Sequence, residues 1–347
     1  MNPLIADLDL VAEATQGLWD ELRSQRIFLT GGTGFFGCWL VESFCHVNRL
    51  LGLDARLTIL TRNPAAFAQK CPHLAADPAV TLHSGDVRTF AFPDGEYGYM
   101  IHAATEARAR QAADALLEML STIVAGTERA LQFAAAHGVN KFLLTSSGAV
   151  YGPQPPQLTH MPETFQGAPD PLSPASVYAE GKRVAELLCT LYQQSTAPQS
   201  TLQCKIARCW AFCGPHLPLN EHFAIGNFIA DVLAGRPIQI QGDGTARRSY
   251  LYAADLAVWL WTILLRAPAL TPINVGSARD LSILELAQTV ADTLNPNTQI
   301  QVARQPVRGA PPSRYVPCVD RAQQLLGLQE IIGLEENIRR TAAWYQK

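Results

Sequence analysis

The sequence predicts an α/β protein built on a doubly wound parallel sheet, followed by a smaller α/β lobe. Short apolar strand patterns alternate with amphipathic helical patterns between residues 26 and 213, and this alternation is typical of a parallel sheet covered by helices on both faces. From about Gly214 the pattern changes to short helices between proline-rich stretches. We therefore predict a helical extension over 1–25, a sheet domain over 26–213 and a smaller lobe over 214–347, with a segment around 245–275 that can return to the sheet domain.

Composition excludes several classes of protein. A chain of 347 residues holds one large or two moderate domains, and 16% charged with 48% apolar residues fits a globular protein. The net charge of −3 gives no electrostatic argument for nucleic-acid binding. The eight cysteines contain no C-x-x-C pair, which predicts reduced thiols and no metal site. No apolar run reaches membrane-spanning length and no signal pattern opens the chain, so we expect a cytoplasmic protein without membrane contact.

The residues before the first strand form an amphipathic pattern over 3–24, with leucines and acids interleaved. This pattern predicts a helix. A lid over the fold, a dimer contact and a simple brace are all compatible with it.

The strand, loop and helix over 26–40 provide the strongest local signal. An apolar run over 27–29 leads into glycines at 31, 34 and 37, and an apolar helical pattern follows; glycines 32, 34 and 37 also match G-x-G-x-x-G. Glycine lets the backbone turn without a Cβ and lets a pyrophosphate approach the N–H groups that begin the helix. The alternative is a plain turn between strand and helix. We predict a dinucleotide site whose loop residues are Gly31, Thr33, Gly34, Phe35, Phe36 and Gly37.

The other elements of the sheet domain follow in order. Five further apolar β runs and two long helical patterns are present, and the first long helix ends before Gly138, a favourable C-terminal residue. Ligands of such a sheet bind beyond the C-terminal ends of its strands. The predicted strands cover 57–61, 80–83, 99–103, 141–145 and 202–209, and the predicted helices cover 116–137 and 176–194.

The residue after the second strand indicates which nicotinamide cofactor is used. An acid commonly holds the ribose 2′-hydroxyl of NAD there, whereas this chain has Arg62. An arginine suits a 2′-phosphate through a charge-assisted contact, so NADP(H) is favoured over NAD(H); the alternative is a solvated surface arginine. We expect Asp86, with Val87, to meet the adenine after the third strand. The cofactor channel is predicted to be lined by Ala103, Ala104 and Thr105.

The chemistry lies in two stretches. The fifth strand runs into a serine pair that includes Ser147, and Tyr178 precedes Lys182 by four residues, which places both on one helical face. A lysine ammonium beside a phenol is expected to lower the phenol pKa from about 10. Such a tyrosine can exchange a proton with a sugar or alcohol oxygen, and a serine at a strand end can polarise the same oxygen.

With these residues the chain resembles the extended short-chain dehydrogenase/reductase family of nucleotide-sugar epimerases, dehydratases and reductases. The motifs are TGGTGFFG (30–37), GD (85–86), HAA (102–104), GT (126–127), SSGAVYG (146–152), YAEGK (178–182), CGP (213–215) and GDGTARRSYLYAADLA (242–257). The resemblance implies a Rossmann-like NAD(P)-binding domain and a C-terminal lobe that binds a nucleotide-diphosphate sugar. It also implies a homodimer formed through the two long helices.

The resemblance also implies roles for particular residues. Ser147 becomes the catalytic hydroxyl, Tyr178 the acid/base and Lys182 its partner and a cofactor ligand. Ser147, Asn227 and Arg248 become substrate contacts, with Arg248 on the diphosphate; the alternative for Arg248 is a salt bridge to Asp255.

Departures from the family pattern narrow the reaction. Sugar-nucleotide 4,6-dehydratases carry an Asp-Glu pair after the catalytic hydroxyl, where this chain has Gly148 and Ala149. The family's decarboxylases also tend to carry a glutamate at the second of these positions. Both reactions are therefore disfavoured unless another acid substitutes, and the acids considered for this are Glu106, Glu163 and Glu221.

Two reactions need only the serine, tyrosine and lysine. One is NADPH-dependent reduction of a 4-keto-6-deoxy nucleotide sugar, similar to the CDP-abequose and CDP-paratose synthase type and placed in polysaccharide biosynthesis. The other is 4-epimerisation with a retained cofactor. The Arg62 interpretation favours the reductase. An alternative of another class is a non-catalytic NAD(P)-binding regulatory protein.

Overall fold

A computed structural model describes residues 2–105, 112–196, 201–220 and 223–346 of the chain. The chain forms two compact units that interleave along the sequence. The first unit comprises Met1–Gly152, Gly167–Cys209 and Ala257–Ile273. The second unit comprises Pro153–Gln166, Trp210–Leu256 and Asn274–Lys347.

Helices and strands alternate through most of the chain. None of the described helices is both long and apolar enough to cross a bilayer. The helices are α1 (Ile5–Ala14), α2 (Phe35–Leu51), α3 (Pro64–Lys70), α4 (Pro72–Ala75), α5 (Ala113–Ala136), α6 (Val177–Thr196), α7 (Ala224–Leu233), α8 (Ala253–Arg266), α9 (Ile283–Leu294), α10 (Asp320–Leu326) and α11 (Leu334–Tyr345), with 3₁₀ turns at Trp19–Leu22, Gly148–Tyr151 and Pro174–Ser176. The strands are β1 (Arg26–Thr30), β2 (Arg56–Thr61), β3 (Val80–Ser84), β4 (Tyr99–His102), β5 (Lys141–Ser147), β6 (Gln203–Cys209), β7 (Phe212–Cys213), β8 (Ile238–Ile240), β9 (Arg247–Arg248), β10 (Leu251–Tyr252), β11 (Pro272–Val275), β12 (Leu281–Ser282), β13 (Ile300–Val302) and β14 (Arg314–Tyr315).

One seven-stranded sheet organises the first unit. Its strand order is β11-β6-β5-β4-β1-β2-β3, and the pairs from β3 to β6 are parallel. The predicted α/β doubly wound fold is confirmed. Strand order reverses direction between β1 and β4, so the crevice for a ligand opens at the C-terminal ends of these two strands. The edge strand β11 was not predicted.

Aromatic packing holds the helices on one face of this sheet. Phe28 of β1 stacks on Phe90 with ring centroids 5.5 Å apart, and Phe133 of α5 lies 4.5 Å from the same ring. Tyr97 meets Phe28 edge-on at 5.7 Å. These four rings are buried, and offset or edge-on contacts between rings add to the stabilisation from burial itself. They pack α5 against the middle of β1 and the segment just before β4.

The N-terminal extension is part of the core of the first unit. Leu8 and Val11 are buried on α1, and Trp19 packs on Trp261 with ring centroids 4.7 Å apart. Glu21 accepts hydrogen bonds from Tyr99 at 2.9 Å, from Arg266 at 2.7 Å and from Lys141. Burial and these bonds show that the extension braces the first unit, which is one of the three roles that the sequence pattern left open.

Within its described residues, the second unit contains three small sheets. Strand β9 lies between β12 and β14, β10 pairs with β7, and β13 pairs with β8. Asp255, in the first turn of α8, is fully buried and accepts the backbone N–H groups of Ile331 at 2.9 Å and Ile332 at 3.1 Å. This carboxylate therefore ties the segment before α11 to the start of α8.

Candidate active site

The glycine loop after β1 is shaped by close backbone contacts. Gly31 has a φ of +74°, and a Cβ there would lie 2.4 Å from the carbonyl carbon and oxygen of Ala103. A Cβ on Gly37 would lie 2.2 Å from the Gly31 oxygen. Helix α2 begins after Gly34 without a side-chain cap, which leaves its first N–H groups available to an anion. The loop therefore has the cradle that a pyrophosphate requires.

A cavity of about 670 Å³ adjoins this loop. It is bounded by the loop, the ends of β2, β3 and β4, and one side of α3 and α5. The structure brings nine of the predicted cofactor residues together in its wall, and Phe35, Phe36 and Gly37 lie outside it, in the first turn of α2. The nine are Gly31, Thr33, Gly34, Arg62, Asp86, Val87, Ala103, Ala104 and Thr105.

Charged side chains of both signs lie in and beside the cavity wall. Arg88 donates to both carboxylate oxygens of Asp86 at 2.8 Å and lies 3.9 Å from Glu118. The Arg88 guanidinium holds the pKa of Asp86 at about 2, and Asp86 is thus engaged before any adenine contact. Arg62 and Lys70 add two cations to the same wall. The cavity lining thus carries these two cations beside the carboxylates of Asp86 and Glu118.

Lys70 was missed by the sequence reasoning. It ends α3, lines the cavity and donates from Nζ to the carbonyl oxygen of Thr33 at 3.0 Å. It stands eight residues beyond Arg62, and only the short helix between them brings the two cations to one wall. The signal available in the sequence was a lysine two turns into the helix after β2.

The predicted catalytic residues converge where β5 meets α6. Lys182 donates from Nζ to Thr105 Oγ1 at 2.7 Å and to the Thr145 carbonyl at 2.7 Å. Ser147 accepts the Ala149 N–H at 3.1 Å and shares a hydrogen bond with the Tyr178 hydroxyl. Because Thr105 also lines the cavity, these residues adjoin the predicted cofactor channel.

The pKa of Tyr178 differs from the prediction. Burial raises it to about 12, although the hydrogen bond from Ser147 acts in the opposite direction. Lys182 was expected to lower it, but Nζ lies 5.9 Å from the centre of the phenol ring and points two donors at Thr105 and Thr145. Burial lowers the pKa of Lys182 to about 8. The prediction of a lowered phenol pKa is therefore wrong for this state of the protein.

Neither of the two residues that follow Ser147 is acidic. Gly148 and Ala149 open a 3₁₀ turn and have no ionisable group. Of the acids considered as substitutes, Glu163 lies in the second unit, where it is buried and accepts the Asn274 N–H at 2.9 Å. Glu106 and Glu221 lie outside the described residues.

The second unit gathers arginines on its three-stranded sheet. Arg248 donates to the carbonyls of Arg247 at 2.7 Å and Ser313 at 3.3 Å. Arg247 donates to Asp280 at 2.7 Å, and Arg314 pairs with the other oxygen of the same carboxylate. Glu285 also lies 3.5 Å from Arg247, so two carboxylates stand beside three neighbouring arginines. The sequence reasoning missed Arg314.

The other residues assigned to the substrate lobe have simpler settings. Asn227 lies in the first turn of α7, partly buried, with its N–H on the Phe223 carbonyl at 3.1 Å. The carboxylate oxygens of Asp255 accept the two backbone bonds already described. These bonds, rather than the salt bridge considered as an alternative for Arg248, account for the buried Asp255.

Comparison with known proteins agrees with this geometry. The family model for the NAD dependent epimerase/dehydratase family matches residues 27–276. The chain belongs to this family. Among curated members, it is 29% identical to UDP-glucuronic acid decarboxylase 1 of Arabidopsis thaliana, over 91% of this chain and 68% of the relative. It is 27% identical to UDP-glucuronic acid decarboxylase 1 of Danio rerio, over 94% and 74%.

Solved structures of family members share the fold. The UDP-glucose 4-epimerase of Thermotoga maritima superposes with a TM-score of 0.75 at 19% identity, covering 92% of this chain and 98% of the other. A dTDP-glucose 4,6-dehydratase of Streptomyces venezuelae, with NAD bound, gives 0.75 at 23% identity over 92% and 97%. The resemblance to the extended short-chain dehydrogenase/reductases is thereby confirmed for the fold and the family.

Proposed function

We propose that this protein reduces the 4-keto group of a 6-deoxy nucleotide sugar with NADPH. The observation that carries the proposal is the Ser147–Tyr178 hydrogen bond beside Lys182, which is anchored on Thr105 in the cavity wall. A nicotinamide cofactor, when bound, supplies the reducing equivalent. The cavity with its glycine cradle fits such a cofactor.

The protonation state of Tyr178 supports reduction. A phenol whose pKa burial raises to about 12 holds its proton near neutral pH, so it can donate that proton to an alkoxide that forms at C4. The single hydroxyl proton of Ser147 can turn to the same oxygen and donate a second hydrogen bond to it, in place of the bond with Tyr178. Lys182 uses two donors on Thr105 and Thr145, and its remaining N–H is available for a ribose hydroxyl.

NADP(H) is the proposed cofactor within a family described as NAD dependent. Arg62 and Lys70 supply positive charge in the cavity wall, and a 2′-phosphate is the part of NADP(H) that uses such charge. Arg88 pairs with Asp86 beside them.

The proposed substrate contacts are in the second unit. Arg248 and Arg314 are candidates for the diphosphate, because Asp280 and Glu285 supply two negative charges beside three arginines. Asn227 is the candidate for a further polar contact to the nucleotide sugar. The panel of nucleotide sugars described below identifies the base and the sugar stereochemistry.

A 4-epimerase with a retained cofactor is the second candidate. It needs the same three residues, and solved structures similar in fold include the UDP-glucuronic acid 4-epimerase of Bacillus cereus with UDP-glucuronic acid and NAD. Decarboxylation of UDP-glucuronic acid, the activity in the names of the curated relatives, is less favoured because Ala149 stands where the resemblance expects a glutamate.

The test is a panel of UDP-, dTDP-, CDP- and GDP-sugars, including 4-keto-6-deoxy forms and UDP-glucuronic acid, with NADPH and NADH. Stoichiometric NADPH consumption with a 4-keto sugar supports the reductase. Sugar interconversion with no net redox change and a cofactor that survives gel filtration supports the epimerase. Release of carbon dioxide from UDP-glucuronic acid supports the decarboxylase. A folded protein that binds NADPH and converts no sugar supports the regulatory alternative.

We also propose a homodimer in a reducing compartment such as the cytosol. Leu187 and Leu191 of α6 and Leu117 of α5 expose half or more of their surface, which is an apolar stripe suited to a second copy. The eight cysteines are thiols, seven of them buried, which fits such a compartment. Light scattering of wild type and Leu187→Glu tests the dimer.

A further inference from the structure

Three consecutive residues at the end of β5 each bind one residue of α6. The Thr145 carbonyl accepts from Lys182 at 2.7 Å, and Ser147 is hydrogen-bonded to Tyr178. Between them, Ser146 donates from Oγ to Glu186 Oε1 at 2.5 Å. Residues 178, 182 and 186 are four apart and share one helical face. Two of these contacts belong to the proposed chemistry, and the contact with Glu186 does not.

Glu186 is held from a second strand as well. Arg208 of β6 donates from Nε to Oε1 at 3.0 Å and from Nη2 to Oε2 at 2.7 Å. The side chains of this pair are only 14% and 13% exposed, so loss of one partner leaves a largely desolvated charge. The Arg208 guanidinium also lies over the Tyr151 ring, 4.7 Å from its centre.

These contacts join four elements around the catalytic residues. Ser146 belongs to β5, Arg208 to β6, Tyr151 to the 3₁₀ turn after Ser147, and Glu186 to α6. A bidentate arginine–carboxylate pair restricts both distance and orientation. Rotation of α6 about its axis would break the pair, and the same rotation would move Tyr178 and Lys182 away from Ser147.

We propose that Glu186, clamped by Arg208 and Ser146, is a positioning residue that fixes Tyr178 and Lys182 against the end of β5 and places a negative charge one helical turn from the Lys182 ammonium. The catalytic part of this inference rests on the proposed function. The structural and electrostatic part does not.

The electrostatic part follows from what surrounds Lys182. Burial lowers the pKa of Lys182 to about 8, and the carboxylate of Glu186, one helical turn away, acts in the opposite direction. The other titratable groups near this ammonium are neutral around pH 7. Burial raises the pKa of Tyr178 and of Cys209 to about 12 and lowers the pKa of His102 to about 3. The pKa of the Cys189 thiol is raised by its hydrogen bond with the Cys204 thiol and by burial. Glu186 is therefore the carboxylate whose charge supports the ammonium.

The first experiment observes Lys182 directly. The chain has five lysines, at 70, 141, 182, 205 and 347, so ¹³Cε-lysine labelling gives five NMR resonances, and Lys182→Arg identifies the relevant one. Glu186→Gln keeps the side-chain shape and removes the charge. The expected result is a fall of the Lys182 titration midpoint by about half a pH unit or more. Lys205, whose pKa burial also lowers to about 8, should keep its midpoint.

The control variant is Glu180→Gln on the same helix. Glu180 pairs with Arg183 at 3.6 Å, and this pair is 32% and 41% exposed, so its loss should leave the Lys182 midpoint unchanged. An unchanged midpoint in Glu186→Gln, or an equal fall in Glu180→Gln, overturns the electrostatic part.

The second experiment measures turnover. Glu186→Gln should lower kcat at least about tenfold, because misplacement of reacting groups affects the chemical step, and its KM for the sugar nucleotide should stay within about twofold of the wild-type value. Glu180→Gln should have the wild-type kcat and KM. Arg208→Lys keeps the positive charge and loses the bidentate geometry, so it should lower kcat and leave the Lys182 titration midpoint unchanged. It replaces Glu186→Gln in this experiment if Glu186→Gln does not fold. Wild-type kcat in both variants overturns the positioning role. If wild type converts no sugar of the panel, the proposed function fails and the NMR titration alone decides this inference.

Discussion

Replacement of Gly31 by alanine tests the close approach that shapes the cofactor cradle. The new Cβ would lie 2.4 Å from the carbonyl carbon and oxygen of Ala103, about 1 Å inside ordinary carbon–carbon contact. The residue must also hold a φ of +74°. Left-handed backbone costs an L-residue about 1–2 kcal/mol, and overpacking against backbone adds about 1–3 kcal/mol.

Gly138 is a matched control for this substitution. It has the same φ of +74°, and a Cβ there would meet nothing within 4 Å. Gly138→Ala should therefore cost only the backbone part, about 1–2 kcal/mol, whereas Gly31→Ala should cost about 2–5 kcal/mol, the sum of the two ranges.

The assay is urea unfolding followed by tryptophan fluorescence, with NADPH binding by fluorescence quenching. Gly31→Ala should unfold at lower urea than Gly138→Ala and bind NADPH at least about tenfold more weakly, because the loop must shift to accept the methyl group. Gly138→Ala should bind NADPH as wild type does. Equal stability and equal NADPH affinity of the two variants would refute the close approach and the cradle built on it.

Four further predictions follow from particular side chains. Tyr178→Phe should lower kcat by about 10²–10⁴-fold with the Kd for NADPH nearly unchanged, and wild-type turnover would remove its assigned role. Arg62→Asp should weaken NADPH binding at least about tenfold relative to NADH; equal effects on both cofactors in a binding titration would exclude the 2′-phosphate contact. Arg248→Ala should raise the sugar-nucleotide KM more than it lowers kcat, since the diphosphate is bound in ground and transition states alike; steady-state kinetics with an unchanged KM would argue otherwise. Burial raises the pKa of Asp255 to about 7, above its ordinary 3.8. Its contribution to stability is therefore fully present below about pH 4 and is lost as the pH rises through 7. The free energy of unfolding of wild type minus that of Asp255→Asn, measured from pH 4 to 8, should fall over this window, and a constant difference would contradict the buried carboxyl.

Much of the fold could be predicted because parallel strands buried on both faces leave a continuous apolar pattern. The strands from Arg26 to Cys209 follow such runs, and the helix after the glycine loop begins where glycines end the first strand. Strand β11 could not be predicted in the same way. It has four residues, Pro272–Val275, and its place in the sheet depends on long-range packing rather than on a local period.

The candidate site likewise has features that the sequence predicts and features that it does not. The spacing of Tyr178 and Lys182 fixes their shared helical face, so their proximity could be predicted from the sequence. The direction of the Tyr178 pKa shift depends on how deeply its hydroxyl is enclosed and on where Lys182 points its donors. Lys70 reaches the cavity only through the path of α3. Such features depend on three-dimensional surroundings that no sequence period encodes.

Deuterium transfer tests the central role of Ser147, Tyr178 and Lys182 most directly. Wild type and Tyr178→Phe are incubated with 4-deuterated NADPH and 4-keto-6-deoxy nucleotide sugars, and the sugar products are analysed by mass spectrometry. We expect wild type to yield a product with one deuterium at C4 and Tyr178→Phe to yield almost none in the same time. Labelling at the wild-type rate by the folded Tyr178→Phe variant, or unlabelled sugars from a wild type that binds NADPH, would contradict the proposed reaction.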